Sequence, residues 1–144
     1  MAQLELQSNK TKKFSLNGLF FNAKCVKCYD GDTVHLVFWY NSDFYKFTCR
    51  LYNIDTPEIR SNNKKESEIA ILVRNYLTTQ IYNKVITIEC KQFDKYGRLL
   101  VVLYYNNLIG NKWTDSINYS LIEKGYAYKY AGGRRIKFED WYKN

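Results

Sequence analysis

Cys25-Val26-Lys27-Cys28-Tyr29-Asp30-Gly31-Asp32-Thr33-Val34-His35-Leu36-Val37-Phe38-Trp39 is the stretch whose reading decides the fold. Two runs of branched and aromatic residues flank Asp30-Gly31, a pair that tolerates positive φ, so the segment predicts a β-hairpin. Asn41-Ser42-Asp43 marks a second turn, and residues 44–54 make a third strand that Pro57, the only proline, stops. Residues 85–90 and 98–105 supply two more strands, joined by a turn at Asp94-Lys95-Tyr96-Gly97. Between the third and fourth strands Ile69, Leu72, Val73, Tyr76 and Leu77 fall at helical spacing, the stripe of an amphipathic helix. Residues 106–114 read as an irregular connection. A second helix starts at Asp115 or Ser116, buries Ile117, Leu121 and Ile122, and ends at Gly125. Gly132-Gly133 breaks the chain again before an aromatic end at Phe138, Trp141 and Tyr142. Five strands with helices between and after them fit a small closed barrel with helices packed outside it.

At 144 residues the chain has the size of one domain, enough to bury roughly two thirds of the surface of its unfolded form. Neither a repeat nor a linker divides it, so residues 1–144 are read as one unit, with residues 1–13 a flexible arm before the fold. Apolar residues make up 46% and aromatics 17%, which rules out a disordered chain. Lys and Arg number 22 against 14 Asp and Glu, a formal charge of +8. That excess favours a polyanionic partner, nucleic acid before a membrane surface, although charge also serves plain solubility. No run approaches the roughly 18 apolar residues of a membrane span, and the start lacks a secretory signal, so an intracellular protein is expected. The abundance of Lys, Asn, Ile and Tyr is compatible with an AT-rich genome such as that of a large DNA virus, a bacterium or a mobile element.

The single histidine, His35, excludes zinc sites with two imidazoles and confines any histidine-based triad to itself. It reads as a strand side chain rather than a catalyst. The four cysteines are Cys25, Cys28, Cys49 and Cys90. On a regular strand Cys25 and Cys28 face opposite sides with Cα atoms roughly 10 Å apart. A disulfide needs less than about 7 Å, so they are read as unbridged reduced thiols. Trp39, Trp113 and Trp141 are read as packing residues, and Lys64, Lys65, Arg134 and Arg135 as solvated cations available to a long substrate.

Three pieces carry chemistry: Asp30-Gly31-Asp32-Thr33, then Arg50-Leu51-Tyr52-Asn53-Ile54-Asp55-Thr56-Pro57-Glu58, then Asp94-Lys95-Tyr96-Gly97-Arg98. Each alone reads first as a turn or loop. Together they put carboxylates on neighbouring strand ends, where a hard cation takes oxygen ligands, and add arginines able to grip a phosphate. Arg50 and Asp55 are five apart, so they converge only if the strand ends or bends between them.

In order and spacing these pieces resemble the staphylococcal nuclease, or thermonuclease-like, family, and the likeness runs over residues 22–128. The resemblance implies an α+β, mainly β, fold: a five-stranded OB-fold barrel with two to three packed α-helices. It also implies a Ca²⁺-dependent phosphodiesterase acting on DNA and RNA, preferably single-stranded or locally open, with little sequence preference and with 3′-phosphate and 5′-hydroxyl products. Asp32, Asp55 and the carbonyl of Thr56 would ligate Ca²⁺. Glu58 would orient or deprotonate the attacking water, Arg50 and Arg98 would neutralise charge at phosphorus, and Lys95 and Tyr96 would hold a phosphate. Tyr130 is the candidate for base stacking. No protein partner is implied. The rival readings are an OB-fold nucleic-acid-binding module without useful activity and a protein-interaction domain.

Overall fold

The computed structural model describes residues 2–106 and 112–143. Its barrel closes in the order β1-β2-β3-β6-β5, from β1 (Phe20–Cys28), β2 (Thr33–Tyr40), β3 (Asp43–Leu51), β5 (Val85–Phe93) and β6 (Leu99–Tyr105). All contacts are antiparallel except β3 with β6, which run parallel from Cys49↔Leu99. Alternation along the strands fills the interior: Ala23, Cys25, Val34, Leu36, Phe38, Ile86, Ile88, Leu99, Val101 and Leu103 are buried. This is the expected OB-fold barrel of five strands. A second, two-stranded sheet pairs β4 (Ile54–Asp55) with β7 (Tyr128–Lys129).

Four α-helices occur among the described residues: α1 (Ala2–Glu5), α2 (Lys64–Ile81), α3 (Ile117–Glu123) and α4 (Phe138–Trp141). The first and last are single turns. Asn63 caps α2 by accepting from the Glu66 amide, and Glu66 accepts from Ser61 and from the Glu58 amide, which ties the loop after Pro57 to the helix. The buried face of α2 is Ala70, Val73, Leu77 and Ile81, so the expected stripe is offset and Leu72 is exposed. Ser116 caps α3 as expected, and Gly125 follows it with φ 75°. Leu16 is fully buried, so the core begins shortly after residues 1–13. Residues 107–111, most of the irregular connection, lie outside the described residues. No helix among the described residues is long and apolar enough to cross a membrane.

Three local expectations change. The third strand stops at Leu51, and Asn53 turns the chain with φ 68° before β4. Gly31 does not take positive φ. Its smallness matters instead, because a Cβ there would lie 2.7 Å from Val73 Cγ1 and 3.1 Å from Thr56 Oγ1. Val73 is buried and stiff at χ1. Gly31→Ala is therefore expected to destabilise by about 1–3 kcal/mol, read as a lower urea midpoint at unchanged slope.

The third change concerns the cysteines. The β1–β2 register slips between Cys25 and Lys27, so one extra residue rotates the strand and returns Cys28 to the side of Cys25. Their sulfurs are 3.7 Å apart. The expectation that they face opposite sides is wrong, because it assumed an unbroken period of two.

Candidate active site

The two loops that carry the acids meet because β2 and β3 pair in register, Thr33 opposite Arg50. Asp30 shapes the first loop: its Oδ1 accepts from the amides of Asp32 and Thr33 at 3.0 and 2.8 Å. The second loop is shaped by the turn at Asn53 and by the pairing of Asp55 with Tyr128. Arg50 consequently faces both acids. Its Nη1 lies 2.9 Å from Asp32 Oδ2, and its Nη2 donates to Asp55 Oδ1 at 3.3 Å and to the Ile54 carbonyl at 3.2 Å. The strand does end between Arg50 and Asp55, which meets the geometric condition for their convergence.

Both carboxylates are buried, Asp32 at 5% and Asp55 at 2% exposure. Burial pushes the Asp32 carboxyl up to about 6 although Arg50 and a Thr56 hydrogen bond pull the other way. Burial alone would likewise weaken the Arg50 charge, and Asp32 and Asp55 more than offset it. Two acids sharing one guanidinium make a charge cluster that costs desolvation and is held by its geometry.

These groups line an open cleft of about 1230 Å³ together with Thr56, Glu58, Lys95, Tyr96, Arg98 and Tyr130, so all nine expected residues border one space. Arg98 is held by Asp94, its Nε donating to Asp94 Oδ2 at 2.7 Å. Burial would raise the Asp94 carboxyl, but the Arg98 amide and guanidinium and the Tyr96 amide hold it below its ordinary value. The ring of Tyr96, 72% exposed, is approached by Lys95 Nζ at 5.3 Å and by Arg98 at 5.5 Å. Tyr130 donates its hydroxyl to the Gly133 carbonyl at 2.7 Å.

Two residues at the site were not singled out for it by sequence. The Tyr128 hydroxyl donates to Asp55 Oδ2 at 2.9 Å and accepts from the Ile136 amide. Arg135, expected to be solvated, donates from Nε and Nη2 to the two oxygens of Asp55 at 2.6 and 3.1 Å, and from Nη1 to Glu58. Gly132 and Gly133, both with positive φ, make the turn that brings it there. The packing reading fits Trp113 and Trp141, whereas Trp39 is 55% exposed and meets a similarly exposed ring. Trp39 packs on Phe44, Trp113 on Tyr119 and Trp141 on Tyr128 and Phe138. His35 is held below its ordinary value by partial burial and by Lys46 and Lys27.

Residues 48–143 match the family described as Staphylococcal nuclease homologue. That span includes every site residue named above except Asp32 in the hairpin loop and its neighbours. Over 139 residues, 83% of this chain and 64% of the relative, the sequence is 29% identical to an uncharacterized protein of Methanocaldococcus jannaschii. Over 85 residues, 59% of this chain and 37% of the relative, it is 31% identical to a probable endonuclease of Schizosaccharomyces pombe. The chain thus spans less than two thirds of the length of either relative.

Proposed function

The chain belongs to the staphylococcal nuclease homologue family, and from that premise we propose a Ca²⁺-dependent phosphodiesterase that hydrolyses DNA and RNA with little sequence preference. Its products would carry 3′-phosphate and 5′-hydroxyl ends. Family membership and the probable endonuclease support a nuclease-like function. The observation that carries the finer reading is the pair of buried carboxylates, Asp32 and Asp55, converging on Arg50 in a cleft that also holds Glu58 and Arg98.

The donor set suits a hard cation, being oxygen only. Among the described residues no three His, Cys, Asp or Glu side chains gather as a cage. Asp32 and Asp55 would therefore hold Ca²⁺ with the Thr56 carbonyl and water completing the shell. When bound, the ion supplies Lewis-acid polarisation of a phosphate oxygen. The chain's own groups do the rest. Arg50 and Arg98 donate to phosphate oxygens whose charge grows as phosphorus becomes five-coordinate, and Arg98 also donates toward the departing 5′ oxygen. Glu58 orients the attacking water and accepts its proton. Lys95 and Tyr96 anchor a neighbouring phosphate, and Tyr130 offers a ring to a base.

Arg135 must release Glu58 before Glu58 can act on water, and it also competes for Asp55. Arg135→Ala is expected to tighten Ca²⁺ binding roughly fivefold by calorimetry, the equivalent of about 1 kcal/mol, since the arginine of the pair is 43% exposed. Weaker binding in the variant would mean that the arginine orders the ligands rather than competing with the ion.

The same contacts favour a second reading, a nucleic-acid-binding domain whose acids are permanently neutralised by arginine. Incubating the protein with labelled single-stranded DNA and RNA, in Ca²⁺ or in chelator, separates the two. Cleavage that survives chelation, or leaves 5′-phosphate ends, contradicts the proposed chemistry. Binding without cleavage supports the second reading.

A further inference from the structure

The proposed chemistry has no use for the thiols, yet two of the four sit side by side at the end of β1. Cys25 is fully buried, Cys28 is half-buried and lines the cleft, and their sulfurs are 3.7 Å apart. The arrangement follows from the slipped register between Cys25 and Lys27. Disulfide length is about 2 Å, so the sulfurs have roughly 1.6 Å to close. The interrupted ladder of a bulge is where a strand can give that much.

From this geometry we propose that Cys25 and Cys28 are a reversible disulfide site, closed by peroxide and opened by thiols. The inference does not rest on the nuclease reading. Cys28 is the attacking group. The hydrogen bond shared with Cys25 lowers the Cys28 thiol below its ordinary value against the opposing effect of burial, and Thr78 on α2 helps. Cys25 itself is held protonated by that same hydrogen bond and by burial. The Cys28 thiolate attacks one peroxide oxygen, the O–O bond breaks, and the released hydroxide takes up the proton that Cys28 gave up. The Cys25 sulfur then attacks the sulfenic sulfur of Cys28. The S–O bond breaks, and hydroxide leaves as water with the proton of Cys25. The two sulfurs lose two electrons together, and peroxide is reduced to two waters.

The other thiols are poor competitors. Burial pushes Cys49 far up and Cys90 up to about 12, and both lie in the barrel interior. The bond would tie the end of β1 to the core at the start of the Asp32 loop, where the Tyr29 amide donates to the Thr33 carbonyl at 2.9 Å.

The test treats the full chain with hydrogen peroxide, counts free thiols in denaturant, and maps tryptic peptides by mass. Lys24 and Lys27 place Cys25 and Cys28 on separate tryptic peptides, so the disulfide appears as a linked pair. The expected result is loss of two thiols of the four, linkage of those two peptides, and full recovery with dithiothreitol. In Cys28→Ser, checked for folding by circular dichroism, the thiols are expected to persist. Four thiols remaining in the treated wild-type chain, linkage of any other pair, a dimer held by disulfide, or Cys28 oxidised to sulfinic acid without linkage would each overturn the proposal.

Discussion

Arg98→Ala and Glu58→Ala are each expected to lower turnover by roughly two to four orders of magnitude while the protein stays folded. The size follows from where each group would act in the proposed mechanism. A phosphate approaching five-coordination concentrates charge on oxygens that a fixed guanidinium neutralises better than water does, and a positioned carboxylate spares the attacking water its reorganisation. The fold should persist because neither side chain supports the core: Glu58 is 53% exposed and Arg98 28%. Loss of the Arg98 side chain leaves the Asp94 turn its two amide donors, from Tyr96 and Arg98, at 2.9 Å each. The fall should appear in kcat rather than KM, with thermal midpoints near wild type. Arg98→Lys should recover little, since an ammonium cannot reproduce the planar fork. Near-normal rates in both alanine variants would remove the assigned mechanism.

Much of this arrangement is local, and that is why sequence carried it. The hairpin around Asp30-Gly31 and the cap at Ser116 are each fixed by residues a few positions apart. The convergence of Arg50 and Asp55 was legible only as a condition, because the turn rests on Asn53 accepting φ 68°, which a side chain permits but does not announce. Gly31 sits in the expected turn, but its backbone freedom is not what the turn uses. Its constraint is a neighbour, Val73, that lies 42 residues away in sequence and arrives only when α2 packs.

The remaining misses are also long-range. A bulge at Cys25–Lys27 depends on how β2 pairs, so nothing in Cys-Val-Lys-Cys itself reveals that the sulfurs meet. Arg135 reaches Asp55 across 80 residues, and an Arg-Arg pair after two glycines has the same appearance whether it is solvated or clamped. One signal was available: an arginine just beyond Gly132-Gly133 in a chain whose buried acids need counter-charges. Tyr128 could have been found only from the β4–β7 register, since that pairing sets its hydroxyl against Asp55.

Asn118→Ala is expected to cost about 2–5 kcal/mol, a large share of the roughly 5–15 kcal/mol that holds a domain of this size. The side chain is fully buried. Its Oδ1 accepts from the Leu103 amide at 2.9 Å, and its Nδ2 donates to the carbonyls of Tyr52 at 3.0 Å and Val101 at 3.1 Å. One amide thus joins α3, β6 and the turn after β3. Alanine strips the Leu103 amide and the Tyr52 carbonyl of these partners, whereas the Val101 carbonyl keeps the Tyr52 amide at 2.8 Å. Buried polar groups left without partners cost more than their bonds had contributed. Asn118→Asp should be at least as damaging at pH 7, because it keeps the acceptor, loses the donor and buries a charge, and it should recover part of the loss as the pH falls and the carboxyl protonates. Urea denaturation of both variants gives the measurement, and an alanine variant with a wild-type midpoint would show that water replaces the amide. The loss should extend to the cleft, since Tyr52 immediately precedes the Asn53 turn that aims Asp55 at Arg50. Activity is therefore expected to fall well below the temperature at which the wild-type chain melts, through the site's geometry rather than its chemistry.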